Sequence, residues 1–266
     1  MPSYNRLLVA SAKGGVGKST TALGLAVSYA ALDKNVILLD LDVNSRSLDI
    51  LTGCEDRAVF DLGDILDNDI DRVVIKDVGG CKNLSLIKAC TSDRLSSLAA
   101  EKDFSTECVI RKTVEKIISD TRYDIVICDT GGGIEIASSV ADLFGLALVT
   151  SEQSQTSLRA AEYAGEKLVQ SGSGAVRLVI CSFDLNAVKK EKRAGVVEMI
   201  DSSSLRCVGV VPFDKKLQSV QDKGTLPGRE SLAQTAYGNI ARRIMGYDIP
   251  LFSGMRSLEK KKRFAF

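Results

Sequence analysis

Residues 13–20, KGGVGKST, decide the fold because they place a glycine-rich loop between an apolar run and a helical pattern. The apolar run at residues 6–10 predicts a strand, and we expect a helix to begin near Gly17. Glycines let successive backbone N–H groups turn toward one point, and the positive end of a following helix faces the same point. A strand, this loop and a helix in that order predict a binding site for phosphate groups.

The loop departs at one position from the G-x-x-x-x-G-K-[ST] pattern of phosphate loops. Ala12 stands where the first glycine is expected, and a second lysine, Lys13, follows it. In such loops the lysine equivalent to Lys18 reaches the β- and γ-phosphates, and the hydroxyl equivalent to Ser19 binds Mg²⁺. The expected cofactors are therefore ATP and Mg²⁺. The expected nucleotide contacts in the loop are Lys13, Gly14, Gly15, Val16, Gly17, Lys18, Ser19 and Thr20.

The rest of the chain alternates short apolar runs with longer segments of helical period. This alternation predicts a single doubly wound α/β fold, a mainly parallel sheet flanked by helices. The predicted strands are residues 6–10, 36–39, 84–87, 125–128, 146–150, 176–181 and 207–211. The predicted helices include residues 104–118, 156–169, 191–200 and 231–245. We expect one domain over residues 1–250 and a separate basic tail over residues 251–266.

Composition excludes several kinds of site. The 266 residues include no histidine, which rules out a histidine base, a histidine metal ligand and a Ser-His-Asp triad. The seven cysteines form no C-x-x-C or C-x-C pair, which argues against an iron–sulfur or zinc site. With 35 basic and 34 acidic residues, any affinity for nucleic acid or membrane must come from a local patch. Without a signal peptide or an apolar stretch of membrane length, we expect a cytoplasmic protein.

Three aspartates stand where predicted strands end. Asp129 follows the run at 125–128, where a carboxylate would hold Mg²⁺ through its water shell. Asp40 and Asp42 are two residues apart, so their side chains are expected to point the same way. Since the chain has no histidine, one carboxylate must orient the water that attacks the nucleotide.

These motifs together resemble the deviant Walker A ATPases, the MinD/ParA family. The similarity begins with KGGVGKST and continues through four more stretches: RSLDILTG at 46–53, YDIVICDTGG at 123–132, VPFD at 211–214 and GTLP at 224–227. The resemblance implies a P-loop fold and Mg²⁺-dependent hydrolysis of ATP to ADP and phosphate. It also implies that hydrolysis is slow until the protein dimerises or meets an activating partner.

The resemblance also implies roles for individual residues. Asp42 is implied to orient the attacking water, and Asp40 to support the Mg²⁺ shell together with Ser19 and Asp129. Lys13, Lys18 and Asp42 are thus the implied catalytic residues. Lys13 is implied to reach across a two-fold interface to the phosphates of a second subunit, so that ATP drives homodimerisation. On the adenine side, the implied contacts are Pro212, Phe213 and Asp214.

Several branches of this family remain open. The 47–53 stretch and the single-domain length favour a MinD-like switch in the placement of the cell-division site. The alternatives are a ParA-like DNA-partition ATPase and a flagellar-number regulator. A scaffold that binds nucleotide without hydrolysing it is an alternative of another class.

The tail has three interpretations. Leu251, Phe252, Met255 and Leu258 recur at helical spacing, and the basic run 260–263 and Phe264-Ala265-Phe266 follow. Such a segment fits a reversible anchor on the anionic inner face of the cell membrane. The same charges would also suit DNA phosphates, as the ParA-like alternative requires. A solvated, disordered tail is the third interpretation.

Overall fold

Seven parallel strands form one sheet in the computed structural model, which describes residues 4–228 and 230–261. The strands are β1 (Arg6–Ala10), β2 (Val36–Asp40), β3 (Leu84–Ile87), β4 (Ile125–Asp129), β5 (Leu146–Ser151), β6 (Val176–Phe183) and β7 (Cys207–Pro212). Their order is β3-β2-β4-β1-β5-β6-β7, and every neighbouring pair is parallel. All seven predicted strands are confirmed at their first residue, and five of them extend one or two residues further than predicted.

Helices cover both faces of the sheet. They are α1 (Lys18–Ala30), α2 (Leu48–Thr52), α3 (Ile70–Val73), α4 (Ser92–Glu101), α5 (Thr106–Ile118), α6 (Glu135–Val140), α7 (Gln155–Gln170), α8 (Leu185–Lys189), α9 (Val196–Ser203), α10 (Lys215–Gln221), α11 (Leu232–Ile244) and α12 (Arg256–Glu259). The helix expected near Gly17 is α1. The predictions at 104–118, 156–169 and 231–245 are confirmed as α5, α7 and α11, with ends that differ by at most two residues.

The predicted helix at 191–200 is wrong over its first half. Helix α8 ends before it, and α9 begins only at Val196. Glu191 has a φ of 54°, a left-handed conformation that stops a right-handed helix. Gly195 then precedes α9 in an extended conformation. The apolar period that suggested one helix therefore belongs to α9 alone, and residues 190–195 form a loop.

The central strand β1 sets the position of the site. It pairs with β4 on one side and β5 on the other, and Leu7, Leu8, Val9 and Ala10 are fully buried. Such complete burial on two faces explains why the strand is a continuous apolar run without alternation. Because all strands are parallel, the loops after β1, β2, β4, β5, β6 and β7 meet at one edge of the sheet, where α/β proteins bind ligands.

Helix α1 is held beneath that edge by α11. Gly24 lies so close to Tyr237 that a methyl group at Gly24 would be 2.2 Å from the tyrosine ring. The Tyr237 hydroxyl is 3.4 Å from Thr21 Oγ1, and Gln234 Nε2 donates to Gly24 O and Ser28 Oγ at 3.1 and 2.9 Å. This close packing fixes the helix whose first turn carries the phosphate loop.

The segment after α11 returns to the core. Phe252, Met255 and Leu258 are 3%, 0% and 9% exposed, and the Phe252 ring lies 6.3 Å from that of Phe183. Arg243 pins the start of the segment by donating to the carbonyls of Ile249 and Pro250. The apolar residues that suggested a separate tail are therefore packed against the domain, and the continuous basic run begins only at Lys260.

The remainder of the basic tail, residues 262–266, lies outside the described residues. Within the described ranges, no helix has the length and apolar character needed to cross a membrane.

Candidate nucleotide-binding site

The loop at residues 13–18 has the backbone shape that its glycines predict. Gly15 and Gly17 have φ values of 74° and 87°, a region that side chains with a Cβ rarely adopt. Val16 is buried and anchors the loop, whereas Gly14 and Gly15 are exposed. Thr21 N donates to Gly17 O at 2.9 Å and starts α1. The exposed backbone therefore lies at the positive end of a 13-residue helix.

Lys18 is tucked beneath this loop. Its side chain is 6% exposed, and its ammonium donates to the carbonyl of Lys13 at 3.2 Å. Burial lowers the pKa of Lys18, and the nearby carboxylates of Asp129 and Asp42 partly offset that effect. The lysine is thus held close to the two acidic residues expected to act with it.

Asp40 orders the backbone after β2. Its Oδ1 accepts the N–H of Asp42 at 2.9 Å, and its Oδ2 accepts the N–H of Leu48 at 3.1 Å. Burial raises the pKa of Asp40 to about 7, although these two backbone donors act in the opposite direction. Both oxygens are committed to the 41–48 loop, so Asp40 acts on the site by positioning that loop.

Asp42 lies where the loop after β2 meets the loop after β4. Its Oδ1 accepts the N–H groups of Asn44 and Ser45 at 3.2 and 3.0 Å. A methyl group at Gly131 would stand 3.0 Å from the same oxygen, so the loop after β4 passes directly over this carboxylate. Asp42 is 6% exposed and lines a cavity of about 290 Å³ together with Gly131 and Gly133.

Asp129 is the least satisfied polar group of the site. It is fully buried, and among the described residues neither carboxylate oxygen has a hydrogen-bond partner of good geometry. Burial raises the pKa of Asp129 well above its usual range, and the charge of Asp40 adds to this. The Ser19 hydroxyl and Lys18 lower it by less. A buried carboxylate without donors is costly unless a ligand compensates it.

The glycines after Asp129 connect the two halves of the site. Thr130 is immobilised, since its N–H and hydroxyl both donate to Val9 O at 3.2 and 3.0 Å. Gly132 and Gly133 are exposed, and a methyl group at Gly132 would lie 3.5 Å from Gly14. The part of this loop that is able to respond to a γ-phosphate therefore begins after Thr130.

Lys13 points toward the N-terminus of α7 of its own chain. Its ammonium donates to Thr156 Oγ1 at 3.1 Å and to Ser157 Oγ at 2.9 Å. Ser154, which caps α7, donates in turn to Ser157 Oγ at 2.8 Å. A cation at the positive end of a helix dipole is in an unfavourable field, and these hydroxyls compensate for it.

The residues expected on the adenine side are near one another but differ in accessibility. Pro212 ends β7 and is buried, while Phe213 is 47% exposed. Asp214 is committed to structure: its Oδ1 accepts from Lys216 N, and its Oδ2 accepts from Ser231 Oγ and Ala233 N. Phe213 is thus the member of this group that presents a free surface.

Sequence reasoning missed four residues of the site. Thr156 and Ser157 hold Lys13, and Ser47 donates to Ser19 Oγ at 2.9 Å. Gln221 is 8% exposed, its Oε1 lies 3.5 Å from Thr20 Oγ1, and its Nε2 has no partner within the described chain. The available signal was position: the hydroxyls of 154–157 follow a predicted strand at the ligand edge.

The donor set fits Mg²⁺ bound together with a nucleotide. Ser19 supplies a hydroxyl, and the unpartnered carboxylate of Asp129 supplies acceptors for metal-bound water. Among the described residues no group of three His, Cys, Asp or Glu side chains could hold a metal by itself. Such a site therefore needs oxygens from the nucleotide phosphates, as is usual for this ion.

An all-parallel sheet with a phosphate loop after its central strand defines a P-loop nucleotide-binding protein. The family model described as the CobQ/CobB/MinD/ParA nucleotide binding domain matches residues 7–227. The septum site-determining protein MinD of Synechocystis sp. is 30% identical over 259 residues, which are 94% of this chain and 93% of that protein. This chain therefore belongs to the CobQ/CobB/MinD/ParA family, among its MinD-like members.

Solved structures agree with this assignment. The chain matches the MinC:MinD cell division protein complex of Aquifex aeolicus with a TM-score of 0.80 and 27% identity, over 93% of this chain and 98% of that one. MinD of Pyrococcus horikoshii, complexed with Mg-ADP, matches with a TM-score of 0.77 over 91% of this chain and 96% of that one. At 17% identity the second likeness supports the fold alone.

Proposed function

We propose that this protein is a Mg²⁺-dependent ATPase that dimerises with ATP and regulates where the cell divides. The observation that carries the proposal is the Lys18 ammonium, held beneath the phosphate loop close to the carboxylates of Asp42 and Asp129 at one sheet edge. Its MinD relatives supply the cellular role by analogy. The activity is expected to be slow in the monomer.

Each residue has a distinct task in this proposal. The backbone of residues 14–18 and the Lys18 ammonium bind the β- and γ-phosphates. Ser19 and Asp129 hold Mg²⁺, which when bound neutralises negative charge on the phosphate oxygens. The Asp42 carboxylate accepts a hydrogen bond from the attacking water and thereby orients it. Asp42 Oδ1 is already held by Asn44 and Ser45, which leaves Oδ2 for that water.

Lys13 makes the reaction depend on a second copy. In the single chain its ammonium donates hydrogen bonds to Thr156 and Ser157. An additional cation supplied to the transferring phosphate is worth about 10³–10⁵ in rate. We therefore propose that Lys13 leaves these hydroxyls in the dimer and contacts the phosphates bound by the partner subunit.

The site of action is proposed to be the inner face of the cell membrane. Lys260 and Lys261 are exposed and begin the basic run of the tail. The domain itself is proposed to be cytoplasmic, with the tail providing reversible contact. A protein partner that regulates the dimer is also proposed, since the Aquifex aeolicus relative is found in a MinC:MinD complex.

Light scattering with ATP and with ADP tests the switch. The variant Asp42→Asn keeps an oxygen for Asn44 and Ser45 while removing the charge that orients water, so it is expected to trap an ATP dimer. ADP is expected to give a monomer. Adding Lys13→Ala to this variant is expected to abolish the dimer but keep ATP binding, whereas Lys216→Ala, an exposed lysine elsewhere, changes neither. A monomer with both nucleotides contradicts the proposal.

A further inference from the structure

Ser47 stands immediately before α2 but does not cap it. A serine in this position usually accepts a hydrogen bond from a backbone N–H of the first helical turn, and Ser47 makes no such bond. Asp40 does part of that work from β2, since its Oδ2 accepts the N–H of Leu48 at 3.1 Å. The Ser47 hydroxyl is therefore not committed to the helix that it precedes.

The hydroxyl of Ser47 bonds instead to the phosphate loop. It donates to Ser19 Oγ at 2.9 Å, and Ser19 is the hydroxyl of this site that fits Mg²⁺. A hydroxyl has one proton to donate and two lone pairs that accept. Because the proton of Ser47 goes to Ser19, its oxygen is still able to accept a hydrogen bond from a ligand.

The turn that brings Ser47 to this place is strained. Arg46 has a φ of 45°, in the left-handed region that residues with a Cβ rarely adopt, and its N–H donates to Asp42 O at 2.9 Å. Such conformations persist only where the surrounding structure fixes them, and they are concentrated at functional sites. The backbone is thus held in a costly conformation that places Ser47 beside Ser19.

Asp129 gives an independent reason to expect a cation beside Ser19. It is fully buried, and its carboxylate oxygens have no hydrogen-bond partner of good geometry in the part of the chain that the structure describes. Ser19 is near enough to lower the pKa of Asp129. Mg²⁺ keeps several of its waters when it binds to a protein, and the protons of those waters need acceptors. The oxygens of Asp129 and Ser47 supply acceptors from two different loops.

We infer that Ser47 is a second hydroxyl of the Mg²⁺ site, which steadies Ser19 and accepts a hydrogen bond from a water on the bound ion. This assignment rests on the proposed function, since it assumes that the loop binds Mg²⁺ with a nucleotide. The resemblance implied Asp40 for the metal shell, but both oxygens of Asp40 are engaged by backbone N–H groups. Ser47 thereby takes the place expected of Asp40.

Calorimetric titration of the full chain with ADP, once with Mg²⁺ and once with EDTA, measures what the metal adds to binding. Ser47→Val and Ser47→Thr have side chains of the same shape, and only threonine keeps a hydroxyl. The valine variant is expected to lose about tenfold of the tightening by Mg²⁺, as groups that orient metal ligands and waters contribute. With EDTA it is expected to bind ADP like the wild type. The threonine variant is expected to keep most of the tightening.

Two controls separate this role from effects on the fold. Ser45→Val changes an exposed serine of the same turn and is expected to leave the Mg²⁺ dependence unchanged. Without ligand, the valine and threonine variants of Ser47 are expected to unfold at the same temperature, because Ser47 makes no capping bond. An earlier unfolding of the valine variant, with full tightening by Mg²⁺, would show that Ser47 is only a cap.

Hydrogen exchange gives a measurement on the protein side. A bond between Ser47 and a metal-bound water ties α2 to the ion, so whatever stabilises one must stabilise the other. Mg²⁺ with ADP is expected to slow the exchange of residues 48–52 more than ADP with EDTA does. This additional protection is expected in the wild type and in Ser47→Thr, and it is expected to be absent in Ser47→Val.

The outcomes distinguish the assignment of Ser47 from the proposed function. If Mg²⁺ tightens ADP equally in the wild type and in Ser47→Val, Ser47 is not part of the site and the proposed function stands. The same holds if α2 is protected equally in both proteins, or if the valine and threonine variants lose the tightening alike. If Mg²⁺ adds nothing to ADP binding in the wild type, the proposed function and the assignment fall together.

Discussion

At the residue scale, Asp129 is fully buried, and its carboxylate has no hydrogen-bond partner among the residues that the structure describes. Its effect on the free energy of unfolding is therefore expected to be measurable. Its pKa is raised in the folded chain. An acid whose folded pKa exceeds its unfolded pKa loses stability as the pH rises between those two values. Burial thus disfavours the charged form of Asp129 in the folded chain, and a bound cation would offset that cost.

Asp129→Asn removes a buried negative charge and is therefore expected to stabilise the nucleotide-free protein at pH 7.5 by about 1–3 kcal/mol. Lys18 keeps Asp42 as its remaining acidic neighbour. Thermal unfolding with ADP, with and without Mg²⁺, gives the second half of the test: Mg²⁺ is expected to raise the midpoint of the wild type and not of the variant. Asp49→Asn, which removes a carboxylate at a partly exposed position, serves as the control for loss of charge. A destabilised variant that still responds to Mg²⁺ contradicts the assignment.

The three aspartates at strand ends were predictable from sequence because each follows a short apolar run, and the end of such a run marks the end of a buried strand. The hydroxyls of residues 154–157 could be placed at the ligand edge, but their pairing with Lys13 was not predictable, since Thr156 lies 143 positions away. Their place depends on β5 lying beside β1, which is a property of the strand order. Gln221 was likewise hidden, because only the path of α10 brings it to Thr20.

At the element scale, the contact between α1 and α11 fixes the phosphate loop from below. Gly24→Ala places a methyl group 2.2 Å from the ring of Tyr237, which is 1% exposed and has no room to move. We expect a loss of about 1–3 kcal/mol in the free energy of unfolding by urea, as overpacking usually costs.

Gly238→Ala in α11 is the matched control. The nearest atom to its new methyl group is Arg242 Nη1 at 3.5 Å, so no clash arises. Helix propensity alone then predicts a gain of about 0.5–1 kcal/mol. A Gly24→Ala variant as stable as Gly238→Ala would show that α1 and α11 pack less closely than described.

Two phenylalanines differ in burial: Phe252 in the C-terminal segment is buried, and Phe213 after β7 is partly exposed. Phe252→Ala is expected to lower the free energy of unfolding by about 3 kcal/mol, because its ring is 3% exposed. Phe213→Ala is expected to change it by less than about 0.5 kcal/mol, because its ring is 47% exposed. Equal effects in chemical denaturation would mean that residues 251–258 are not docked in solution.

Strand and helix assignment from sequence worked where one period ran without interruption. It failed at residues 191–200, since charged Lys192 and Arg193 are compatible with helix and nothing in the pattern shows the left-handed Glu191. It also treated residues 251–258 as a separate tail. Their helical spacing correctly predicts an apolar face. Which part of the domain covers that face depends on the tertiary structure and could not be predicted from the spacing.

At the scale of the whole molecule, the C-terminal region consists of two parts with different roles. Residues up to Leu258 contribute to the core. Lys260 and Lys261 are exposed, and in the sequence the basic run continues to residue 263. Any membrane affinity is therefore expected to reside in residues 260–266, because the apolar residues before them are already buried.

This division predicts the result of vesicle sedimentation. With ATP, the full chain is expected to pellet with vesicles rich in anionic lipid, since the run 260–263 contributes about 1 kcal/mol per basic residue and a dimer presents two runs. A chain ending at Glu259 is expected to stay in the supernatant while keeping its unfolding midpoint. Vesicles of neutral lipid provide the control, and raising the salt concentration is expected to release the full chain because exposed charges are screened. Equal pelleting of the two chains would place the lipid contact elsewhere.

Retardation of DNA by the full chain with ATP, without any lipid binding, would instead favour a partition ATPase, since four adjacent cations suit DNA phosphates equally well.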